Sequence, residues 1–346
     1  MALRTSLIFA ILLSASAWSK LPILATKQDI TNIRYLTRDG KYTYYQRRSG
    51  DLLLGTNFNV SEVLKAEMGT HYTISSHPES EWMVINQIKH MHRSYDPRLV
   101  GTLFRNKKGQ TSTTELGVGT NSEVHLLGSW TSFYEPYTRL IVFKNLDNPQ
   151  IGFNIQTAAK LNPYFFPTVT MLDEQTVLYI DMNEKGESAL IRFNRIDGKS
   201  KVLFKNEGVS RRLEICQSKS ATYLGAFPYQ QADGAAEIWE IDKEKGPSKP
   251  IYSSNMPDIG HMICDHTQGK IYFSKAFKQG KAYRHDIYAL DIKSGESESI
   301  SDFRYATQII DMDGLLLIPF QGKYYVPLEQ KQAEVKDNLG PKEEQL

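Results

Sequence analysis

Short apolar runs alternate with polar breaks along the chain, and the same phrase returns. Residues 71–85, HYTISSHPESEWMVI, hold a strand-like run, a break at Ser76-His77-Pro78-Glu79-Ser80, and a second strand-like run. The phrase recurs at 32–45 (NIRYLTRDGKYTYY, turning at Asp39-Gly40), 168–180 (TVTMLDEQTVLYI, Asp173-Glu174) and 212–225 (RLEICQSKSATYLG, near Lys219). It returns at 261–274 (HMICDHTQGKIYFS, Gln268-Gly269) and 307–320 (TQIIDMDGLLLIPF, Asp313-Gly314). A degenerate copy occupies 123–143, where Glu135-Pro136 takes the turn. β-Branched and aromatic residues crowd these runs, which favours strands over helices.

Clear neighbouring turns lie on the order of 40 to 50 residues apart, the period of a four-stranded propeller blade. Two further strand-like runs follow the phrase: ALIRFNRI (189–196) and KVLFK (201–205), EIWEID (237–242) and PIYSS (250–254), DIYALDI (286–292) and SESIS (297–301). Seven such repeats joined by Gly/Asp turns predict an all-β, seven-bladed β-propeller with four-stranded blades. The last repeat stops at KYYVPL (323–328), one strand short. PILAT (22–26) stands ahead of the first repeat as KVLFK stands ahead of a later one. The ring is therefore expected to close by pairing this N-terminal strand into the last blade, which removes two open sheet edges.

The phrases SSHPESEWMVI and LTRDGKYTYY resemble the strand-turn of TolB-type bacterial periplasmic propellers, whose turn often reads Ser-Pro-Asp-Gly. The resemblance implies an exported propeller that binds other proteins. The N-terminus is read from its own residues. Arg4, the apolar run LIFAILL (7–13) and small residues through Ala15-Ser16-Ala17 and Ala17-Trp18-Ser19 form a secretory signal pattern. That run is too short to anchor in a bilayer, and no later segment is long and apolar enough to span one. The expected organisation is a signal peptide at 1–19, the propeller at 20–329 and a charged, disordered tail at 330–346. The expected place is periplasmic or secreted, and the chain is expected to be a monomer.

Charge narrows the partners. The 41 basic and 39 acidic residues leave a net charge of +2, so no global field draws nucleic acid or an anionic membrane surface. The loops between second and third strands share one face with the links between blades, and that face is where a rigid strand framework would present binding residues. There KHMHRSYDPR (89–98) places His90, His92, Arg93 and Asp96. His90 and His92 share one side of an extended segment, and with Asp96 they offer donors a transition metal takes. A polar, solvated loop is the plainer reading, since spacing fixes no third ligand. Arg34, Arg211, Arg212, His261 and Tyr305 are expected around the channel mouth, where they either meet an anionic partner or bond water and one another. The basic segment KAFKQGKAYRHD (275–286) is a partner-binding rim or a solvated hairpin end.

His261, Cys264 and His266 match no zinc spacing. Cys216 and Cys264 hold similar places in successive repeats. Export permits a disulfide, but faces packed about 10 Å apart exceed the roughly 7 Å a bridge tolerates, so two buried thiols are expected. No G-x-S-x-G, H-E-x-x-H or phosphate-cradling glycine loop is present, which leaves no catalytic residue, metal or cofactor to assign. The sequence reads as an exported binding or scaffold propeller of the bacterial cell envelope that holds a protein or peptide on its loop face. The alternative is a metal-dependent hydrolase or lactonase with its site in the central channel.

Overall fold

The computed structural model describes residues 30–325, apart from 38, 40, 57–58, 90–99, 126, 128, 159–166, 184, 207–210, 229–234, 255–258, 266–268, 280–281, 301–309, 313–314 and 321–322. Every regular element among the described residues is a β-strand. The first sheet is β1 (Ile30–Leu36), β2 (Thr43–Arg47), β3 (Leu52–Gly55) and β4 (Val60–Leu64). A seven-stranded sheet follows: β5 (His71–Ser76), β6 (Trp82–Ile88), β7 (Gly101–Lys107), β8 (Thr113–Val124), β9 (Trp130–Glu135), β10 (Leu140–Asn145) and β11 (Gly152–Gln156). The third holds β12 (Val169–Met171), β13 (Thr176–Met182), β14 (Ser188–Asn194) and β15 (Lys199–Lys205). The fourth holds β16 (Arg211–Gln217), β17 (Thr222–Pro228), β18 (Ala236–Asp242) and β19 (Gly246–Ser254). The fifth holds β20 (Ile259–Cys264), β21 (Lys270–Gln279), β22 (Ala282–Asp291) and β23 (Ser297–Ser299), and the sixth β24 (Ile310–Met312), β25 (Leu315–Phe320) and β26 (Lys323–Tyr325). In each sheet the strands pair antiparallel in chain order, so every sheet is a meander.

The wide sheet is two meanders sharing one strand. β8 pairs with β7 through Thr113–Gly119 and with β9 through Thr120–Val124. At the changeover Asn121 takes a left-handed φ of 51°, a conformation that Asn tolerates better than most residues.

The core lies between sheets, and the strand period of two explains it. On β6, Met83 and Ile85 pack back against Tyr44, Leu52 and Leu54 of the first sheet, while Val84 packs forward with Phe133 and Val142. On β13, Val177 and Tyr179 face Phe143 and Ile155, while Leu178 and Ile180 face Leu213 and Leu224. On β17, Tyr223 and Phe227 turn to Met262 and Phe273 of the fifth sheet, and Leu224 and Ala226 turn the other way. A strand buried on both faces reads as a nearly continuous apolar run, as β13 and β17 do, while β6 also buries Asn86 and Gln87.

The expected strands are observed, with one displacement. In the degenerate copy, Glu135-Pro136 falls in the turn joining β9 to β10, not in the first turn, which lies between β8 and β9. The first strand there carries polar Thr120-Asn121-Ser122-Glu123, while apolar Leu127 lies in the real turn, so the hydrophobic pattern is shifted by one strand. The proposed closing strand, 22–26, lies outside the described residues.

Candidate functional site

The first strands of successive meanders from β1 to β20 are stitched to one another in order. Tyr35 and Ser76 share a hydroxyl–hydroxyl hydrogen bond of 2.5 Å between β1 and β5. The Val124 amide donates to Ser75 Oγ at 2.9 Å between β8 and β5. Asn121 Nδ2 donates to the Pro167 carbonyl, just ahead of β12, at 3.1 Å. Thr170 Oγ1 donates to Gln217 Oε1 at 2.6 Å from β12 to β16. The Met262 amide donates to Glu214 Oε2 at 2.7 Å from β20 to β16. This ladder fixes the order in which the first five sheets stack.

Beside the last rung, Cys216 and Cys264 form a disulfide with Cα atoms 5.5 Å apart. The expectation of two buried thiols is thereby corrected. The 10 Å separation holds where sheet faces pack, but the inner strands converge toward the axis and bring the two backbones within bridging range.

One end of the axis carries the turns between first and second strands. His77 and His125 are both buried there, at 4% and 1% exposure. His125 Nε2 lies 2.9 Å from Ser132 Oγ, and its ring stacks on Phe143 with centroids 5.9 Å apart. Burial, with the neighbouring His77 as a second cause, pushes its pKa down to about 3, so it is held neutral. Across this end Lys219 Nζ meets Glu79 Oε1 at 2.9 Å. Two residues before His125, Glu123 lines a narrow recess with Asn121, Ser132, Tyr134, Pro167 and Val169. Its side chain keeps solvent-facing surface, yet the surrounding protein desolvates its carboxyl and pushes it up to about 8.

The opposite end carries the links between meanders, where the sequence placed its candidates. Arg34 reaches Gln46 Oε1 through Nε at 3.1 Å and Nη2 at 2.7 Å. Gln46 Nε2 in turn donates to the Thr70 carbonyl at 2.5 Å, so the guanidinium sits where the first sheet passes to the second. Burial, and then the charge of Arg34, lower the pKa of His71 at the start of β5. Arg212 pairs with Glu214 at 3.0 Å, and the same carboxylate accepts from Met262. Both arginines thus brace inner strands. Arg211 opens β16 and His261 lies within β20, but their side chains are outside what the structure describes, as are residues His90, His92, Arg93, Asp96 and Tyr305. Among the described residues no group of three or more His, Cys, Asp or Glu is placed to hold a metal ion. Glu123 and His125 escaped sequence reasoning because they sit in the degenerate copy. His77 and Lys219 lay in recognised turns without a signal of their meeting points.

No protein-family model matches the chain, and no curated protein sequence matches it. Among solved structures it is similar to the β-propeller domain of Cps50 (Swd1) from Myceliophteria thermophila, with 9% identity, 86% of this chain and 96% of that one covered, and a TM-score of 0.53. It is similar to a prolyl endopeptidase at 12% identity, covering 78% of this chain and 42% of that one, TM-score 0.52. It is also similar to a putative TolB from Agrobacterium tumefaciens at 12% identity, covering 70% and 83%, TM-score 0.46. The first two likenesses and the stacked meanders define the chain as an all-β protein of propeller fold. Among the described residues no helix is long and apolar enough to cross a membrane.

Proposed function

We propose that the chain is an exported, seven-bladed propeller of the bacterial cell envelope, periplasmic or secreted, that holds a protein or peptide partner on its link face. Counting the seven-stranded sheet as two blades gives seven, the last with three described strands. In this reading residues 22–26 close the ring, residues 20–329 form the propeller, and 330–346 remain a charged tail. The observation that carries the exported setting is the Cys216–Cys264 bridge, since structural disulfides persist in oxidising compartments and are rare in reducing ones. It agrees with the signal pattern at 1–19. The binding role rests on a rigid ladder of inner strands carrying Arg34, Arg211, Arg212 and His261 toward one end, where loops would meet a partner.

The test is affinity capture from envelope extract by the full mature chain. Because Arg212 braces Glu214, the informative variant is Arg212→Gln, which keeps a donor there. Capture of one defined protein that the variant weakens supports the reading, while capture indifferent to every link-face change sinks it. Elemental analysis addresses the alternative: one tightly held divalent ion per chain would favour a metal-dependent hydrolase.

A further inference from the structure

The first strands that stitch the sheets together pair their charges unequally. Arg34 of β1 commits its guanidinium to Gln46, and Arg212 of β16 pairs with Glu214. Glu214 also accepts from the Met262 amide, so its carboxylate is engaged twice. Glu123 of β8 differs. Its backbone carbonyl accepts from Thr131 Oγ1 at 2.7 Å, but among the described residues its carboxyl has no hydrogen bond and no ion pair. The part of β8 that pairs with β9 enters from the link end at Thr120. Glu123 lies three residues along it, within roughly 10 Å of that end.

The surroundings decide what that carboxyl takes. Its recess is shared by the polar side chains of Asn121, Ser132 and Tyr134 and by apolar Pro167 and Val169. Asn121 gives its Nδ2 to the Pro167 carbonyl, which leaves its Oδ1 as an acceptor. The titratable neighbours bring no counter-charge: burial pushes His125 down to about 3 and raises Tyr134, so both are neutral at pH 7. One carboxyl, neutral oxygens and an apolar wall make a set with a single negative charge. A divalent ion draws on clustered carboxylates or imidazoles, and no such cluster is placed among the described residues. A primary ammonium matches the set: a compact head with one charge and three donors, on an alkyl stem that lies along apolar surface. Protein crowding without a counter-charge raises the Glu123 carboxyl to about 8, and a cation brought from outside reverses that penalty.

We propose that Glu123 anchors a lysine side chain presented by the partner, whose ammonium meets the carboxylate beside Asn121 and Ser132 while its stem lies against Pro167 and Val169. The inference rests on the binding reading above and gives it a sign. Arg34 and Arg212 are already committed within the ladder, so the partner brings positive charge here rather than negative.

The test uses a labelled nine-residue peptide of Gly and Ser with one central lysine, titrated into the full mature chain. Binding should weaken at least about tenfold in Glu123→Gln, which keeps the shape, removes the charge and should fold like the parent by circular dichroism. The same peptide with its lysine acetylated should lose affinity for the parent to a similar degree. Affinity for the lysine peptide should rise as pH passes from 6.5 to 9, because the carboxyl must shed its proton to attract the ammonium. That rise should vanish in Glu123→Gln. No binding of the lysine peptide, equal binding by parent and variant, or binding indifferent to acetylation would overturn the proposal. Partner capture weakened by Arg212→Gln but untouched by Glu123→Gln removes the lysine anchor and leaves the binding reading standing. Capture untouched by both removes both.

Discussion

Glu79 and Lys219 form an ion pair at 2.9 Å although 140 positions separate them. One sits in the turn after β5, the other in the turn after β16, so the contact reaches across the axis. It shows how closely the turns converge at that end. Both side chains are mostly exposed, at 57% and 72%. Lys219→Glu should therefore cost less than about 1 kcal/mol, and the loss should shrink at high salt. Thermal melts at two ionic strengths check this.

The Cys216–Cys264 bridge closes a loop with a sequence separation of 48. Chain-entropy reasoning gives a loop of that size roughly 3–4 kcal/mol of stabilisation. The double variant Cys216→Ser/Cys264→Ser should melt several degrees lower. Adding reductant should shift the parent toward the variant and leave the variant unmoved.

Glu214 joins two strands through one carboxylate, pairing with Arg212 on its own β16 and accepting from the Met262 amide of β20. Replacing it by Ala removes the acceptor of the Met262 amide and the ion pair to Arg212. A loss of about 2–4 kcal/mol in denaturant midpoint is expected, and Glu214→Gln should recover part of it.

His125 makes stability fall on the acid side. Its folded pKa lies near 3 against an ordinary 6.5, so the folded state resists a proton that the unfolded chain accepts. Its contribution is complete above pH 6.5 and drains away as pH drops toward 3. Urea midpoints across that window should slope less in His125→Asn than in the parent.

Glu123 acts with the opposite sign. Its carboxyl is raised from an ordinary 4.5 to about 8, so the folded state favours the protonated form. What it contributes is present below pH 4.5 and lost as pH climbs toward 8. Glu123→Gln should flatten the stability profile between those limits. A variant as pH-sensitive there as the parent would show that the carboxyl titrates normally.

The strands were legible because of the physics of a sheet buried on both sides. TVLYI and TYLGAF are continuous apolar runs bounded by polar turns, and they became β13 and β17. Where polarity and strand parted, the reading slipped: TNSEV is strand and Leu127 is turn. The site was far less visible. The disulfide depends on how inner strands converge, a distance that no sequence period encodes. Arg34 and Arg212 stood out as charges, but their roles as braces emerge only once Gln46 and Glu214 are in place.

The strand common to two meanders has a mechanical corollary. Most neighbours in the stack could separate by giving up side-chain contacts alone, whereas β7, β8 and β9 cannot part without breaking backbone pairing. Amide exchange should accordingly report that stretch as one cooperative leaf of double width. A one-residue insertion near Thr120 would invert the facing of side chains on the strand that serves both halves, so it is the place where the molecule tolerates length changes least.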